Sequence, residues 1–262
     1  MAINRHGFEL RRFVGVVTRA TLVLLVCMFG AGVASAASVN CTGTLTGTFD
    51  NIIVPAGAEC DLGAATVNGS INVRAGALLF IYGPATVKGS VSGTGSAAII
   101  IYNASVTPTA SINKNAPVSG KSEVVAGNNV LGNLNITNNN TAQICGAFIG
   151  GNVFITGTYG TEVAFGGSEP GAACSQNGGG NVIGGTVSIQ NNNTTFFRDA
   201  DNVVGRTMTV SGNQGSANKN VLNNSVAGTL SCFNNAAPFN AGGNSATTST
   251  GQCANKEQPP PG

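Results

Sequence analysis

A short phrase that recurs about every 21 residues constrains the fold of this chain more than any other feature of the sequence. The phrase has the form apolar-x-Gly-polar-apolar-x-apolar, as in Val67-Asn68-Gly69-Ser70-Ile71-Asn72-Val73 and Val87-Lys88-Gly89-Ser90-Val91. We take the apolar residue after the polar one as the anchor of each copy. The anchors lie at positions 49, 71, 91, 112, 134, 153, 187, 208 and 230, with separations of 22, 20, 21, 22, 19, 34, 21 and 22 residues.

Each copy of the phrase alternates apolar and polar residues, which predicts a short strand with one buried face. A single short strand cannot bury that face alone, so successive copies must stack on one another. Residues 78–82 and 99–102 indicate a second strand in each coil, with tyrosines 20 residues apart. We therefore predict an all-β fold over residues 37–253, a single-stranded parallel β-solenoid of about nine coils of about 21 residues. The rival fold is a β-sandwich, but its strands recur about every 8–12 residues without a shared phrase.

Residues 1–36 are predicted to be a cleaved signal peptide. The almost wholly apolar run over 20–33 is shorter than the roughly 20 residues needed to span a bilayer. It is followed by Ala34-Ser35-Ala36, the small residues that signal peptidase requires, and preceded by Arg5, Arg11, Arg12 and Arg19. We expect export by the general or the twin-arginine route, and a mature chain that begins near Ala37 and has no transmembrane segment. The alternative is an uncleaved N-terminal anchor.

Removal of this segment leaves a nearly neutral chain without histidine. The whole chain has 12 basic and 10 acidic residues; the segment holds four arginines and Glu9, which leaves 8 basic and 9 acidic residues. A protein that neutralises phosphates needs a basic face, so we expect no nucleic-acid partner. The single histidine, His6, lies in the segment. Its loss disfavours the usual serine, cysteine and zinc hydrolases.

The interval from Val153 to Val187 exceeds one coil by about 13 residues. It contains Tyr159-Gly160-Thr161-Glu162 and a Gly-rich stretch over 166–171, both typical of loops. We predict an insertion near 156–181, and insertions from one coil often carry binding loops. The alternatives are a tolerated surface loop and two short coils in place of one. The Pro-rich tail over 254–262 is predicted to be disordered.

Six cysteines follow the signal peptide, and an even number in an exported chain predicts disulfides. Two pairs are separated by about one coil, which places their Cα atoms about 4.8 Å apart, within the disulfide range. A third pair closes the base of the insertion. The predicted bonds are Cys41–Cys60, Cys145–Cys174 and Cys232–Cys253. A thiolate metal site is disfavoured because the chain lacks close C-x-x-C pairs.

The one acidic cluster after the signal peptide is Arg198-Asp199-Ala200-Asp201. On a strand, Asp199 and Asp201 point the same way about 7 Å apart, which suits a calcium pair or a general acid/base pair. The alternative is a solvated turn in which Arg198 pairs with a neighbouring aspartate. We favour the turn, and predict no catalytic residue, no metal and no cofactor.

Runs of asparagine, at 138–140 and 191–193, have two interpretations. Stacked amides can form a polar surface that binds glycans or ice. They can also serve the fold alone, because side-chain amides at solenoid turns hydrogen-bond along the stack. We favour the structural interpretation.

The phrases at 67–73 and 87–91 resemble those of the bactofilin-type polymer-forming β-helices. The chain over most of 41–253 is also similar to uncharacterised secreted β-helix proteins of actinobacteria, including its closing segments at 228–235 and 251–253. The resemblance implies the solenoid architecture and supplies no catalytic residue.

Two functions are consistent with these observations. The first is a secreted, non-enzymatic solenoid with a structural role or a surface that binds a glycan, a protein or a cell-envelope component. The alternative is a polysaccharide-acting lyase or hydrolase that uses Asp199 and Asp201.

Overall fold

The computed structural model describes residues 37–113, 123–126, 130–167, 179–216 and 218–254. The predicted signal peptide and residues 255–262 of the predicted tail lie outside these ranges. Within them the chain forms strands and turns but no helix, so no described segment is a membrane-spanning helix.

The described residues form 25 strands. The strands of the first half are β1 (Ser38–Asn40), β2 (Thr44–Phe49), β3 (Asn51–Val54), β4 (Glu59–Val67), β5 (Ile71–Val73), β6 (Leu78–Tyr82), β7 (Thr86–Val87), β8 (Val91–Thr94), β9 (Ala98–Tyr102), β10 (Ser105–Asn113), β11 (Glu123–Ala126) and β12 (Val130–Thr137). The second half contains β13 (Thr141–Cys145), β14 (Phe148–Ile149), β15 (Val153–Thr156), β16 (Tyr159–Gly166), β17 (Val182–Ile183), β18 (Val187–Gln190), β19 (Asn193–Ala200), β20 (Val203–Val204), β21 (Met208–Ser211), β22 (Lys219–Leu222), β23 (Ser225–Phe233), β24 (Phe239–Gly242) and β25 (Ser245–Gly251).

The predicted fold is confirmed: the strands are parallel and stack as a β-solenoid of about nine turns. Each coil has three sides. The first face contains the phrase strands, such as β5, β8, β15, β18 and β21. The second face contains β6, β9, β11, β13, β16, β19, β22 and β24. The third face contains the short strands β7, β14, β17 and β20 together with the ends of longer strands.

The anchors of the phrase form one buried column on the first face. Ile71 pairs with Val91, Leu134 with Val153, and Val187 with Met208. Their side chains are fully buried. This alignment explains the repeat: each apolar side chain is shielded from water by the same position in the coils before and after it.

Two of the predicted anchors are wrong. Phe49 pairs with Val67 on the third face, and Ile52 takes the anchor position opposite Ile71. In β10 the anchor is Ala110, which pairs with both Val91 and Leu134. The irregularity between Val106 and Thr109 adds one residue to β10 relative to its partner, so counting by period moves the anchor to position 112.

The glycine of the phrase allows consecutive coils to approach closely. A Cβ at Gly89 would lie 2.4 Å from the carbonyl oxygen of Gly69, and one at Gly151 would lie 2.4 Å from that of Gly132. A larger residue at either place would push the coils apart, because backbone atoms cannot move aside as a flexible side chain can.

Candidate functional site

Asp199 lies inside the solenoid and not on its surface. It pairs in register with Phe165 and Val221 on the second face, and its side chain is 0% exposed. Asn202 Nδ2 donates to Asp199 Oδ1 at 2.9 Å, and no described group donates to Oδ2. Burial raises the pKa of Asp199 well above its usual value; the hydrogen bond from Asn202 opposes this rise and the nearby charge of Asp201 adds to it.

Asp201 occupies the turn after β19. Its φ is 59°, in the left-handed region, and its side chain is half-buried. The equivalent turn position in the next two coils holds Asn223 and Gly243, which are also left-handed. Asn, Asp and Gly are the residues that tolerate this conformation, so the turn itself accounts for Asp201.

Arg198 faces the other side of β19 from Asp199, because neighbouring residues on a strand alternate in direction. Its side chain is only 4% exposed and lies between Ala164 and Asn220 in register. A Cβ built on Gly167 would lie 2.6 Å from Arg198 Nε, so the guanidinium lies directly against the chain where the insertion begins.

The three residues of the predicted cluster therefore do not converge. The expectation that Asp199 and Asp201 point the same way on one strand is wrong, because β19 ends at Ala200 and Asp201 lies in the turn. The interpretation as a solvated turn is wrong for Asp199, which is fully buried, and fits only Asp201.

The insertion is shorter than predicted. The residues expected to form a loop at 159–162 belong to β16, which pairs with β19 from Tyr159 to Gly166. Sixteen positions separate Gly166 from Val182, whereas three separate their partners Ala200 and Val203. The 13 extra residues thus lie between β16 and β17 within a single coil. Two short coils in place of one are excluded.

Two of the three predicted disulfides are present. Cys41 bonds to Cys60 and Cys232 to Cys253, with Cα–Cα distances of 5.4 and 5.2 Å, at the two ends of the described solenoid. Cys145 is also disulfide-bonded, and its predicted partner, Cys174, lies outside the described residues. By its register with Gly166, Cys145 lies on the second face beside the start of the insertion.

Two amide ladders occupy corners of the solenoid, and the structural interpretation of the asparagine runs is confirmed. In each ladder a side-chain amide donates to a strand carbonyl of the preceding coil and accepts from a backbone N–H there, at 2.8–3.3 Å. The ladder between the second and third faces contains Asn181, Asn202, Asn224 and Asn244. The ladder between the first and second faces contains Asn192, Asn213, Asn235 and Gln252.

The sequence contains a signal for these ladders that the phrase analysis missed. Most ladder residues follow a residue with left-handed backbone, as in Asp201-Asn202, Asn223-Asn224 and Gly212-Asn213. An Asn-Asn pair in this chain is therefore one turn residue followed by one buried ladder residue. The pairs recur at the spacing of one coil.

Lys219 is a second buried ionisable group that the sequence did not reveal. It pairs with Phe197 on the second face and is 0% exposed. Its ammonium donates to the carbonyl oxygen of Gly215. Desolvation lowers the pKa of Lys219.

The first face presents small uncharged polar side chains to solvent. The residues just before and just after each anchor form two outward columns in which all side chains but Phe154 are Ser, Thr or Asn. The first column contains Ser70, Ser90, Thr109, Asn133, Asn152, Thr186, Thr207, Thr229 and Thr248. The second contains Asn72, Ser92, Ser111, Asn135, Phe154, Ser188, Thr209, Ser231 and Thr250.

The side chains of the first column also hold the coils together. Ser70 Oγ accepts from the backbone N–H of Ser90 at 3.1 Å, and Asn133 and Asn152 accept in the same way from the following coil at 2.9 and 2.8 Å. Their positions are therefore fixed before any ligand arrives.

The fold and its ladders define the class of this protein as a parallel β-solenoid with internal amide ladders. No protein-family model matches the chain, and it matches no curated protein and no solved structure. No group of three or more side chains suited to metal ligation occurs within the described ranges.

Proposed function

We propose that this protein is exported, has no catalytic activity, and acts in the extracellular space or cell envelope as a rigid surface that binds a glycan. The predicted signal peptide and the two disulfides support export, because such bonds persist in oxidising compartments. The resemblance to secreted β-helix proteins supports it too.

The observation that carries the proposal is the double column of Ser, Thr and Asn on the first face. Adjacent coils repeat these groups about every 4.8 Å, which gives a regular array of hydroxyl and amide groups. A polysaccharide is itself a regular array of hydroxyl groups, and an uncharged surface suits an uncharged chain. Because the array is held by hydrogen bonds between coils, little side-chain entropy is lost on binding.

The geometry at Asp199 bears on the alternative of a sugar-cleaving enzyme. A general acid must come within about 3 Å of the proton it transfers, directly or through one water. Asp199 is fully buried beneath its own strand, and Asp201 points from a turn. The geometry therefore favours a binding role over catalysis by this pair.

The test is a sedimentation assay with insoluble cellulose, chitin and bacterial cell-wall sacculi, with reducing-sugar release measured in parallel. We expect saturable co-sedimentation with at least one of these polymers and no release of reducing ends. The variant Ser188→Lys/Thr209→Lys, which places bulky charged groups on the first face, should lower binding about tenfold.

The matched control is Ser225→Lys, which places the same group at an exposed position of the third face and should bind like the natural chain. Equal loss of binding in both variants would show that the first face is not the binding surface. Release of reducing ends that disappears in Asp201→Ala would show that the protein is an enzyme.

A further inference from the structure

Phe80, Tyr82 and Tyr102 form an exposed aromatic cluster on the second face, away from the first-face columns. The rings of Phe80 and Tyr82 have centroids 6.0 Å apart and planes within 7° of parallel. Tyr102 pairs in register with Tyr82, so it lies one coil further along the same column. Tyr82 is 40% exposed and Tyr102 is 38% exposed, although aromatic side chains usually bury most of their surface.

Two carboxylates border this cluster on the side of the preceding coil. Asp61 pairs in register with Phe80, and Glu59 pairs with Leu78, two residues before it. Both charges act on the hydroxyl of Tyr82: the pKa of Tyr82 is raised first by partial burial, then by Asp61 and then by Glu59. The acidic groups and the rings therefore belong to one patch of surface.

Parallel aromatic rings next to carboxylates match the two surfaces of a sugar ring. The C–H groups of a pyranose form apolar faces that pack on aromatic rings, whereas its hydroxyl groups lie around the edge and donate to carboxylate oxygens. Hydrogen bonds to an ionised acceptor are stronger than neutral ones, so such acceptors fix the orientation of the sugar.

We propose that this aromatic cluster is a binding subsite for an uncharged pyranose chain, with Phe80, Tyr82 and Tyr102 packing on the sugar rings and Glu59 and Asp61 accepting their hydroxyl groups. The inference rests on the proposed function only in that the partner is a glycan. Acidic polysaccharides are excluded from the subsite, because the two carboxylates repel a chain of like charge.

The composition of the chain supplies a reporter for this site. The protein has three tyrosines and no tryptophan, so its intrinsic fluorescence comes from Tyr82, Tyr102 and Tyr159. In a Tyr159→Phe background the emission reports the two tyrosines of the cluster alone. Titration with cellohexaose and with chitohexaose should give a saturable change in emission, whereas polygalacturonate should give none.

The variants Phe80→Ala and Asp61→Asn keep both reporter tyrosines and should each weaken binding about tenfold. Calorimetric titration of Tyr102→Ala, in which a reporter is lost, should show a similar weakening. The matched control is Phe148→Ala, which removes an aromatic side chain that is 51% exposed on the third face and should leave the affinity unchanged. Far-UV circular dichroism confirms that each variant is folded.

The outcomes separate this inference from the proposed function. If the hexasaccharides give no saturable change while the protein still sediments with an insoluble polysaccharide, the subsite is disproved and the proposed function stands. If Phe80→Ala and Phe148→Ala bind a hexasaccharide equally well, the cluster is not the site. If the protein binds no hexasaccharide and no insoluble polymer, both proposals fail.

Discussion

Burial raises the pKa of Asp199, so the folded chain keeps a proton on this carboxyl at pH values where the unfolded chain has released it. The stability linked to this group is therefore fully present below the pKa of the unfolded chain. It is lost as the pH rises towards the raised pKa of the folded chain.

The variant Asp199→Asn tests this pH dependence, because asparagine has nearly the shape of a protonated aspartate and does not titrate. We expect the free energy of unfolding of the variant, relative to the natural chain, to become more favourable as the pH is raised from about 4 to about 7. Urea unfolding at each pH, followed by circular dichroism, measures the difference. The exposed Asp50→Asn is the control, and an equal pH trend in both variants would contradict the assignment.

Asn202 is the residue on which several hydrogen bonds of one ladder depend. Its Nδ2 donates to the carbonyl oxygen of Phe165 at 2.9 Å, and its Oδ1 accepts from the backbone N–H and the side-chain amide of Asn181 at 3.0 and 2.9 Å. Removal of the amide leaves buried groups without partners, each at a cost of about 1–3 kcal/mol. Asn202→Ala should therefore lower the free energy of unfolding by about 3 kcal/mol or more.

The control for this prediction is Asn240→Ala, since Asn240 is exposed on β24. Urea unfolding of both variants gives the comparison. A loss in Asn202→Ala no larger than that in Asn240→Ala would mean that the ladder contributes nothing to stability.

At the scale of the strand, the sequence alone predicted the repeat and most of the register. Regular phrases such as those at Ile71 and Val91 combine a glycine, a polar residue and an apolar anchor, and each of these three is required by the stacking of coils. Phe49 and Ile112 were misplaced because their copies lack the full phrase, and only pairing with Val67 and the extra residue in β10 decide the register. The period gives no information about such irregularities.

The candidate cluster was less predictable than the strands. Whether Asp199 faces inward depends on where β19 meets its turn, and two equally spaced aspartates are compatible with either answer. The left-handed residue at 201 and the ladder residue at 202 fix that point. Both are visible only when Asp201-Asn202 is aligned with Asn223-Asn224 in the next coil.

The glycine of the phrase gives a prediction at the scale of the strand. A Cβ at Gly151 would lie 2.4 Å from the carbonyl oxygen of Gly132 and 2.2 Å from Oδ1 of Asn133, so Gly151→Ala must separate two coils. We expect a loss of about 1–3 kcal/mol in the free energy of unfolding, typical of overpacked sites.

The matched control is Gly63→Ala, because a Cβ at Gly63 meets no atom within 4 Å. Thermal and urea unfolding of the two variants test the contrast. Equal stability of both would show that the coils do not depend on this close approach.

At the scale of the whole solenoid, stability is expected to be a sum over coils and their interfaces, because each coil contacts only its neighbours. Terminal coils have a neighbour on one side and open first. The two described disulfides lie in these terminal coils, where each closes a loop of about one coil and contributes about 3 kcal/mol.

This arrangement predicts that loss of one disulfide acts locally. In Cys41→Ser/Cys60→Ser, amide hydrogen exchange should accelerate in β1 to β5 and remain unchanged in β18 to β25; Cys232→Ser/Cys253→Ser should show the reverse. Each variant is the control for the other, since both lose one bond of similar loop length. Faster exchange along the whole chain in either variant would mean that the solenoid unfolds as one cooperative unit, because a stack of independent coils confines the effect of a lost bond to its own end.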